Sequence, residues 1–304
     1  MPDVILHHYD ASPFTQKALK MLGIKGIEWR SVETPMIAPK PDLTPLTGGY
    51  RGTPVLQLGA DIYVDNARIL AALDTRYPTP AISNDALALT DAALCTWGDG
   101  FFEAGLHMAI HEYAAHWDAD FSKDREAVFE RLSFDQVKAR YEHACGLLRA
   151  NAALIDSQLS DGRAFLTGDV IGMADLHAWP VLWFTRNMPD TNPLLNDLPH
   201  LPAWEQRVNA VGEGTRLDLG AEAALAVASS AQPLGDTTVD GNDPLAGLAG
   251  RAVSVAAMTS NRGVSVGTLV GLTSREIVIA LDQPPLGKIH VHFPRLSYQV
   301  SATD

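Results

Sequence analysis

Cysteine is nearly absent from this chain: its 304 residues include two, Cys95 and Cys145, each in an alanine-rich stretch of helical pattern. That is not the pattern of a disulfide framework or a cysteine-built zinc site, and it reads as two buried free thiols. Basic residues are also in deficit, with 23 Lys plus Arg against 36 Asp plus Glu and a formal net charge of -13. Such a balance opposes non-specific nucleic-acid binding and leaves room only for a local basic pocket that takes a small anion. No apolar run is long enough to span a bilayer. The opening residues through Tyr9 also lack the basic start and continuous apolar stretch of a signal peptide, so the expected location is the cytoplasm, with no membrane partner.

What is present divides into three parts. Residues 3–9 read as a strand, after which Ser12 caps a helix with Pro13 in its first turn and Phe14, Ala18 and Met21 on one face, stopped at Gly23. A second strand fits Ile27–Val32, a proline-rich loop runs from Pro35 to Pro45, and two strands, Thr53–Leu58 and Asp61–Val64, form a hairpin at Gly59. A helix from Asn66 to about Arg76 completes a βαβ, loop, ββα order, and Tyr77-Pro-Thr-Pro80 ends it. The next stretch is helix-forming almost throughout, and residues 231–245 are rich in turn formers. Beyond them, clustered β-branched residues at Val253–Val255, Val264–Val270, Glu276–Ile279 and Lys288–Phe293 predict a small five-stranded, SH3-like barrel. The expected domains are therefore 1–78, 86–225 and 246–304.

A barrel of that size buries too little apolar surface to stand alone, so it is expected to lean on the helical domain or on a second copy, through Phe293-Pro-Arg295 and Tyr298. His107 and His111, four apart in a helical stretch, have the spacing of a metal pair, but no third ligand accompanies them and no metal is expected.

Several spaced motifs of the first two parts resemble the glutathione transferase family. Ser12-Pro13-Phe14 is similar to the active-site motif of its serine-type classes, especially the tau-like group; Thr53-Pro54-Val55-Leu56 is similar to its Val-Pro-x-Leu segment, and Asp65-Asn66 to its Glu/Asp-Ser pair. Pro39 to Arg51, with Gly48-Gly49-Tyr50-Arg51, resembles a loop of a bacterial subgroup, and Phe165 to Leu176 resembles the folding signature of the helical part. The resemblance implies an α/β thioredoxin-like domain followed by an all-α domain. It also implies glutathione as co-substrate, Ser12 as the group that stabilises its thiolate, and a homodimer.

Free N–H groups and the dipole at a helix start favour a thiolate, and a hydroxyl adds a directed hydrogen bond. The resemblance places glutathione against Phe14, Lys40, Arg51, Thr53, Pro54, Asp65 and Asn66, with Pro54 in a cis peptide, and a small hydrophobic electrophile against Trp97, Phe102, Leu106 and His107. Asn66 stands where the family carries serine, and Gly172 replaces a capping hydroxyl of the folding signature, leaving Asp175 as its other half. Positions 12 and 15 hold no Cys-x-x-Cys pair, so dithiol redox chemistry has no attacking sulfur. The reaction is read as thiolate attack on an electrophilic carbon. A glutathione-dependent lyase, isomerase or dehalogenase, and a non-catalytic binding or scaffold protein of the same fold, remain open alternatives.

Overall fold

A computed structural model describes residues 2–83, 88–129 and 133–303, so the expected domain limits at residues 1, 86 and 304 lie outside the described residues. The first part has the expected order: β1 (Val4–His8), α1 (Pro13–Lys25), β2 (Glu28–Glu33), a short α2 (Thr44–Thr47), β3 (Val55–Leu58), β4 (Asp61–Val64) and α3 (Asn66–Arg76). β1 is parallel to β2 and antiparallel to β3, which is antiparallel to β4. Helix α1 runs through Gly23 and ends at Gly26, whose left-handed backbone (φ 60°) lets its N–H cap the carbonyls of Leu22 and Gly23. Gly23 is instead a point of close approach: a Cβ there would meet the Gly212 carbonyl oxygen at 2.4 Å.

The helical part comprises α4 (Ala88–Tyr113), α5 (Ala119–Val128), α6 (Phe134–Ala139), α7 (Tyr141–Leu159), α8 (Met173–Thr185), α9 (Thr191–Leu195) and α10 (Leu201–Ala210). Its core includes Phe101, Met108, Leu148, Trp179 and Trp204. The buried Asp175 accepts from the backbone N–H of Gly172 and Leu166 and from Trp204 Nε1, so one carboxylate ties the start of α8 to α10.

Residues inside the range expected to be helical then return to the sheet. β5 (Thr215–Asp218) pairs in parallel with β2, and α11 (Ala221–Ser230) lays Ala224 on Ile5 and Val32. Unpaired N–H and C=O groups along the β2 edge explain this departure: any short extended segment returning past them finds hydrogen-bond partners.

The β-rich extension is β6 (Ala252–Ala257), β7 (Val264–Leu272), β8 (Glu276–Gln283), β9 (Gly287–Pro294) and β10 (Tyr298–Ala302). These pair antiparallel in the order β10-β6-β7-β8-β9. Among the described residues no pairing joins β9 to β10. The outer edge of β9 instead pairs in parallel with β4, at Asp61 with His290, Ile62 with Val291 and Tyr63 with His292, making one ten-stranded sheet. The extension therefore leans chiefly on the first domain, not on the helical one. Leu46, Tyr50, Val55 and Ile62 share a core with Val255, Ile279, Val291 and Phe293. Of the expected docking residues, Phe293 stacks edge-on against Tyr50 and the Tyr298 hydroxyl donates to Asp65, whereas Arg295 pairs with Asp243 of the linker. Gly49 (φ 127°) admits the extension, because a Cβ there would sit 2.1 Å from the Val264 carbonyl oxygen.

Candidate active site

A cavity of about 250 Å³ opens where α1, the loop before β3, α4, α5, α8 and the β6–β7 loop converge. Phe102, Leu106, Ala109 and Tyr113 line it from α4 at spacings of four, three and four, which put them on one stripe of that helix. Phe121, Arg125 and Val128 do the same from α5, and Phe184 closes the wall from α8. Phe14 packs on Phe102 with ring centroids 4.6 Å apart, so α1 brings the apolar wall next to its own N-terminus.

Of the residues expected at the site, Phe14, Lys40, Arg51, Thr53, Phe102 and Leu106 line this cavity. Ser12 lies just behind it, flanked by the lining residues Ala11 and Pro13, with its side chain buried. Its oxygen accepts from the Thr15 N–H at 3.2 Å, which leaves its own O–H free to donate. The Thr53–Pro54 peptide is cis.

Asp65 and Asn66 are off the lining and already engaged. Asp65 caps α3 through the Ala67 N–H at 3.1 Å, holds a left-handed φ of 69°, and takes the Tyr298 O–H at 3.1 Å. Asn66 donates to the Phe14 carbonyl at 3.1 Å, and among the described residues its own buried oxygen has no partner. Trp97 also points elsewhere, donating to Asn151 at 2.8 Å and stacking on Phe101. His107 lies 3.8 Å from Glu103, and burial holds its pKa below the ordinary value. Positions 97 and 107 fall off the 102-106-109-113 stripe, which is why α4 turns them away. His111 stacks on Tyr141, and among the described residues no group of three His, Cys, Asp or Glu side chains could hold a metal ion.

The cavity is cationic on one side. Lys40 donates to Thr53 Oγ1 at 2.7 Å; burial and then the nearby Arg125 and Arg51 push its pKa down to about 8. Arg51 and Arg125 both pair with Asp124. Burial alone would raise that carboxyl, but Arg125, the Ala38 N–H and Arg51 outweigh it and hold Asp124 below its ordinary value. Arg262 enters from the extension with its guanidinium 5.2 Å from the Phe14 ring centre. A continued reading of the α4 stripe would have found Ala109 and Tyr113. Nothing local marks Arg262 or Asn261, because only the β4–β9 pairing brings their loop here.

Beside the cavity, Lys17 Nζ lies 3.0 Å from His177 Nδ1, and His177 Nε2 lies 2.9 Å from Cys95 Sγ. Burial pushes the Cys95 pKa up to about 12, so this sulfur stays a thiol.

No curated protein matches the chain in sequence. The chain matches the glutathione S-transferase N-terminal domain over residues 6–81 and the C-terminal domain over residues 138–207. Among solved structures, a GST-like protein from Pseudomonas syringae is 35% identical, with all of both chains covered and a TM-score of 0.80. A theta class glutathione S-transferase from Xanthomonas axonopodis pv. citri, with glutathione bound, is 22% identical over 71% of this chain and 99% of its own, with a TM-score of 0.51. A tau class enzyme from mango, Mangifera indica, is 20% identical over 68% of this chain and 89% of its own, with a TM-score of 0.52. The last two likenesses are of fold alone. Among the described residues no helix is long and apolar enough to cross a membrane. With the full-length Pseudomonas relative and both domain matches in agreement, this chain belongs to the glutathione S-transferase family.

Proposed function

We propose that the chain is a glutathione transferase that conjugates a small electrophile with an apolar body, acting in the cytoplasm as a homodimer. One observation carries this reading: the start of α1 and the Thr53–Pro54 corner border the same cavity as the aromatic wall of α4, α5 and α8. Glutathione lies along Thr53, with its glycyl carboxylate toward Lys40 and Arg51. Its thiol sits at the α1 N-terminus, where the Ser12 O–H and the helix dipole lower a reference pKa of about 8.5 toward neutrality. The thiol proton leaves to solvent. With an aryl halide, the S–C bond forms and the halide departs with the bonding pair, the rate coming from proximity and from the fraction of thiolate.

Calorimetric titration with glutathione, followed by an aryl-halide conjugation assay, tests the reading. Ser12→Ala is expected to lower the conjugation rate by about one to three orders of magnitude while the fold survives. An unchanged pH–rate profile in that variant removes Ser12 from the role. Sedimentation at micromolar concentration that shows only monomer ends the homodimer proposal.

One observation favours a second reading, a non-catalytic protein of this fold. The Asp65 and Asn66 side chains, which the family resemblance assigns to the γ-glutamyl end, are engaged by Tyr298 and by the Phe14 carbonyl. Absence of glutathione binding would favour that reading, and binding without conjugation would favour a glutathione-dependent lyase, isomerase or dehalogenase.

A further inference from the structure

The β6–β7 loop, residues 258–263, is pinned to both of the other domains. Arg51 N–H donates to the Arg262 carbonyl at 2.8 Å, and Asn261 N–H donates to the Val128 carbonyl at the end of α5 at 3.0 Å. A Cβ on Gly263 would meet the Gly49 carbonyl oxygen at 2.2 Å, so the loop is seated tightly on the Gly48-Gly49 turn. The Arg262 side chain is oriented as well. Its Nε donates to Ser260 Oγ at 3.0 Å, its guanidinium lies over Phe14, and the Tyr50 hydroxyl faces it.

Asp65, held by the Tyr298 hydroxyl, attracts the Arg262 guanidinium from beyond ion-pair distance, and among the described residues no carboxylate forms an ion pair with this always-charged group, which borders the aromatic wall. A guanidinium so placed is satisfied best by an anion brought by the ligand. The cavity lining holds four cations, Lys40, Arg51, Arg125 and Arg262, and no carboxylate, in a chain whose formal net charge is -13. Asp124 answers Arg51 and Arg125, and Lys40 sits at Thr53, where the glycyl end of glutathione is assigned. Arg262 is left on the side of Phe14, which faces the apolar wall.

We propose that the second substrate is an aromatic electrophile bearing a carboxylate, and that Arg262, supplied by the β-rich extension, binds that carboxylate. This deepens the transferase reading and rests on it. The extension thereby sets substrate specificity: the aromatic body goes to Phe102, Leu106, Phe121 and Phe184, and its charge goes to a residue outside the two transferase domains.

The test is calorimetry on the full chain with 4-chloro-3-nitrobenzoate, with its neutral isostere 4-chloro-3-nitrobenzamide, and separately with glutathione. None of these titrations needs turnover. The expected result is that the benzoate binds about tenfold or more tighter than the benzamide, as a charge-assisted hydrogen bond implies. Arg262→Gln removes that preference and Arg262→Lys keeps part of it, the lysine variant guarding against a folding defect. A wild-type chain that does not distinguish the two probes overturns the proposal. So does an R262Q chain that keeps the preference, or one that loses glutathione affinity while keeping it. Failure of the transferase reading appears elsewhere, as absence of glutathione binding to the wild type.

Discussion

The four-stranded sheet of the first domain gains a strand at each edge, and the two additions differ in kind. At the β4 edge, β9 is buried along most of its length and brings a shared apolar core with it. His292 lies there between Asp61 Oδ1 at 3.0 Å and Glu276 Oε2 at 3.4 Å, Glu276 pairs with Arg68 at 2.7 Å, and Tyr63 stacks on the His292 ring. Asp61 also accepts the N–H groups of Leu234 and Gly235, which stitches the linker to the same point. At the β2 edge, every residue of β5 is exposed, and the side-chain pairs at its surface are Arg216 with Asp10 and Asp218. Parallel pairing alone thus does not make a joint. The β4–β9 junction is a continuation of the core, whereas β5 chiefly covers an edge that would otherwise offer free backbone groups to another chain.

Removing residues 231–304 should break the first of these joints outright. It strips the partners of Leu46, Tyr50, Val55 and Ile62 and bares the β4 edge. The expected outcome is a truncated chain that is largely insoluble or melts well below the full chain, by turbidity and thermal unfolding. A soluble truncated chain with an unchanged melting temperature would show that the extension is only appended.

His292→Ala sharpens the comparison at one residue. It leaves the buried Asp61 and the half-buried Glu276 without the cation between them, and denaturant unfolding should show a loss of about 3 kcal/mol. The Leu234 and Gly235 N–H groups and Arg68 keep the two carboxylates partly satisfied, so a complete loss of folding is not expected.

The same residue gives the junction its own pH dependence. Burial opposes charge on His292, but Asp61 and Glu276 outweigh it, so its folded-state pKa is raised. Its contribution is therefore complete below an unfolded value of about 6.5 and fades as pH rises through the folded value. His7 and His8 in β1 behave oppositely: burial lowers both to about 4, so the unfolded chain takes up protons first and stability falls as pH drops from about 6.5 toward 4. Unfolding free energies from pH 4 to 9 should show both flanks, and His292→Asn should flatten the alkaline one alone. An alkaline flank that survives the substitution would assign it to another group.

Much of this was legible in the sequence because it is local. Ser12-Pro13 marked the start of α1, the Val/Ile runs marked four of the five extension strands, β6 to β9, and Phe102 and Leu106 marked the cavity wall. What escaped depends on partners distant in the chain. Gly23 read as a helix stop, yet its lack of a side chain serves the approach of Gly212. The β9 sequence reads the same whether its edge meets β4, β10 or solvent, so neither the continuous sheet nor the arrival of Arg262 at Phe14 could be read from either segment alone. Trp97 and His107 were assigned to the cavity by resemblance of the helix as a whole, and a turn-by-turn reading from Phe102 separates them from its lining.

The smallest effect is expected at the other edge. Arg216→Ala removes an ion pair to Asp10, whose side chain is 62% exposed, together with a cation–ring contact to Trp29 at 5.8 Å. Exposed pairs are screened and cost side-chain entropy to hold, so the loss should be at most about 1 kcal/mol and should shrink further in high salt. The strand itself should persist, because its backbone bonds to β2, the Thr215 N–H to the Ile27 carbonyl and Trp29 Nε1 to the Glu213 carbonyl are untouched. Denaturant melts of R216A beside H292A give the contrast directly. If R216A costs as much as H292A, then β5 is a structural joint like the β4–β9 junction, and its exposure is a poor guide to its role.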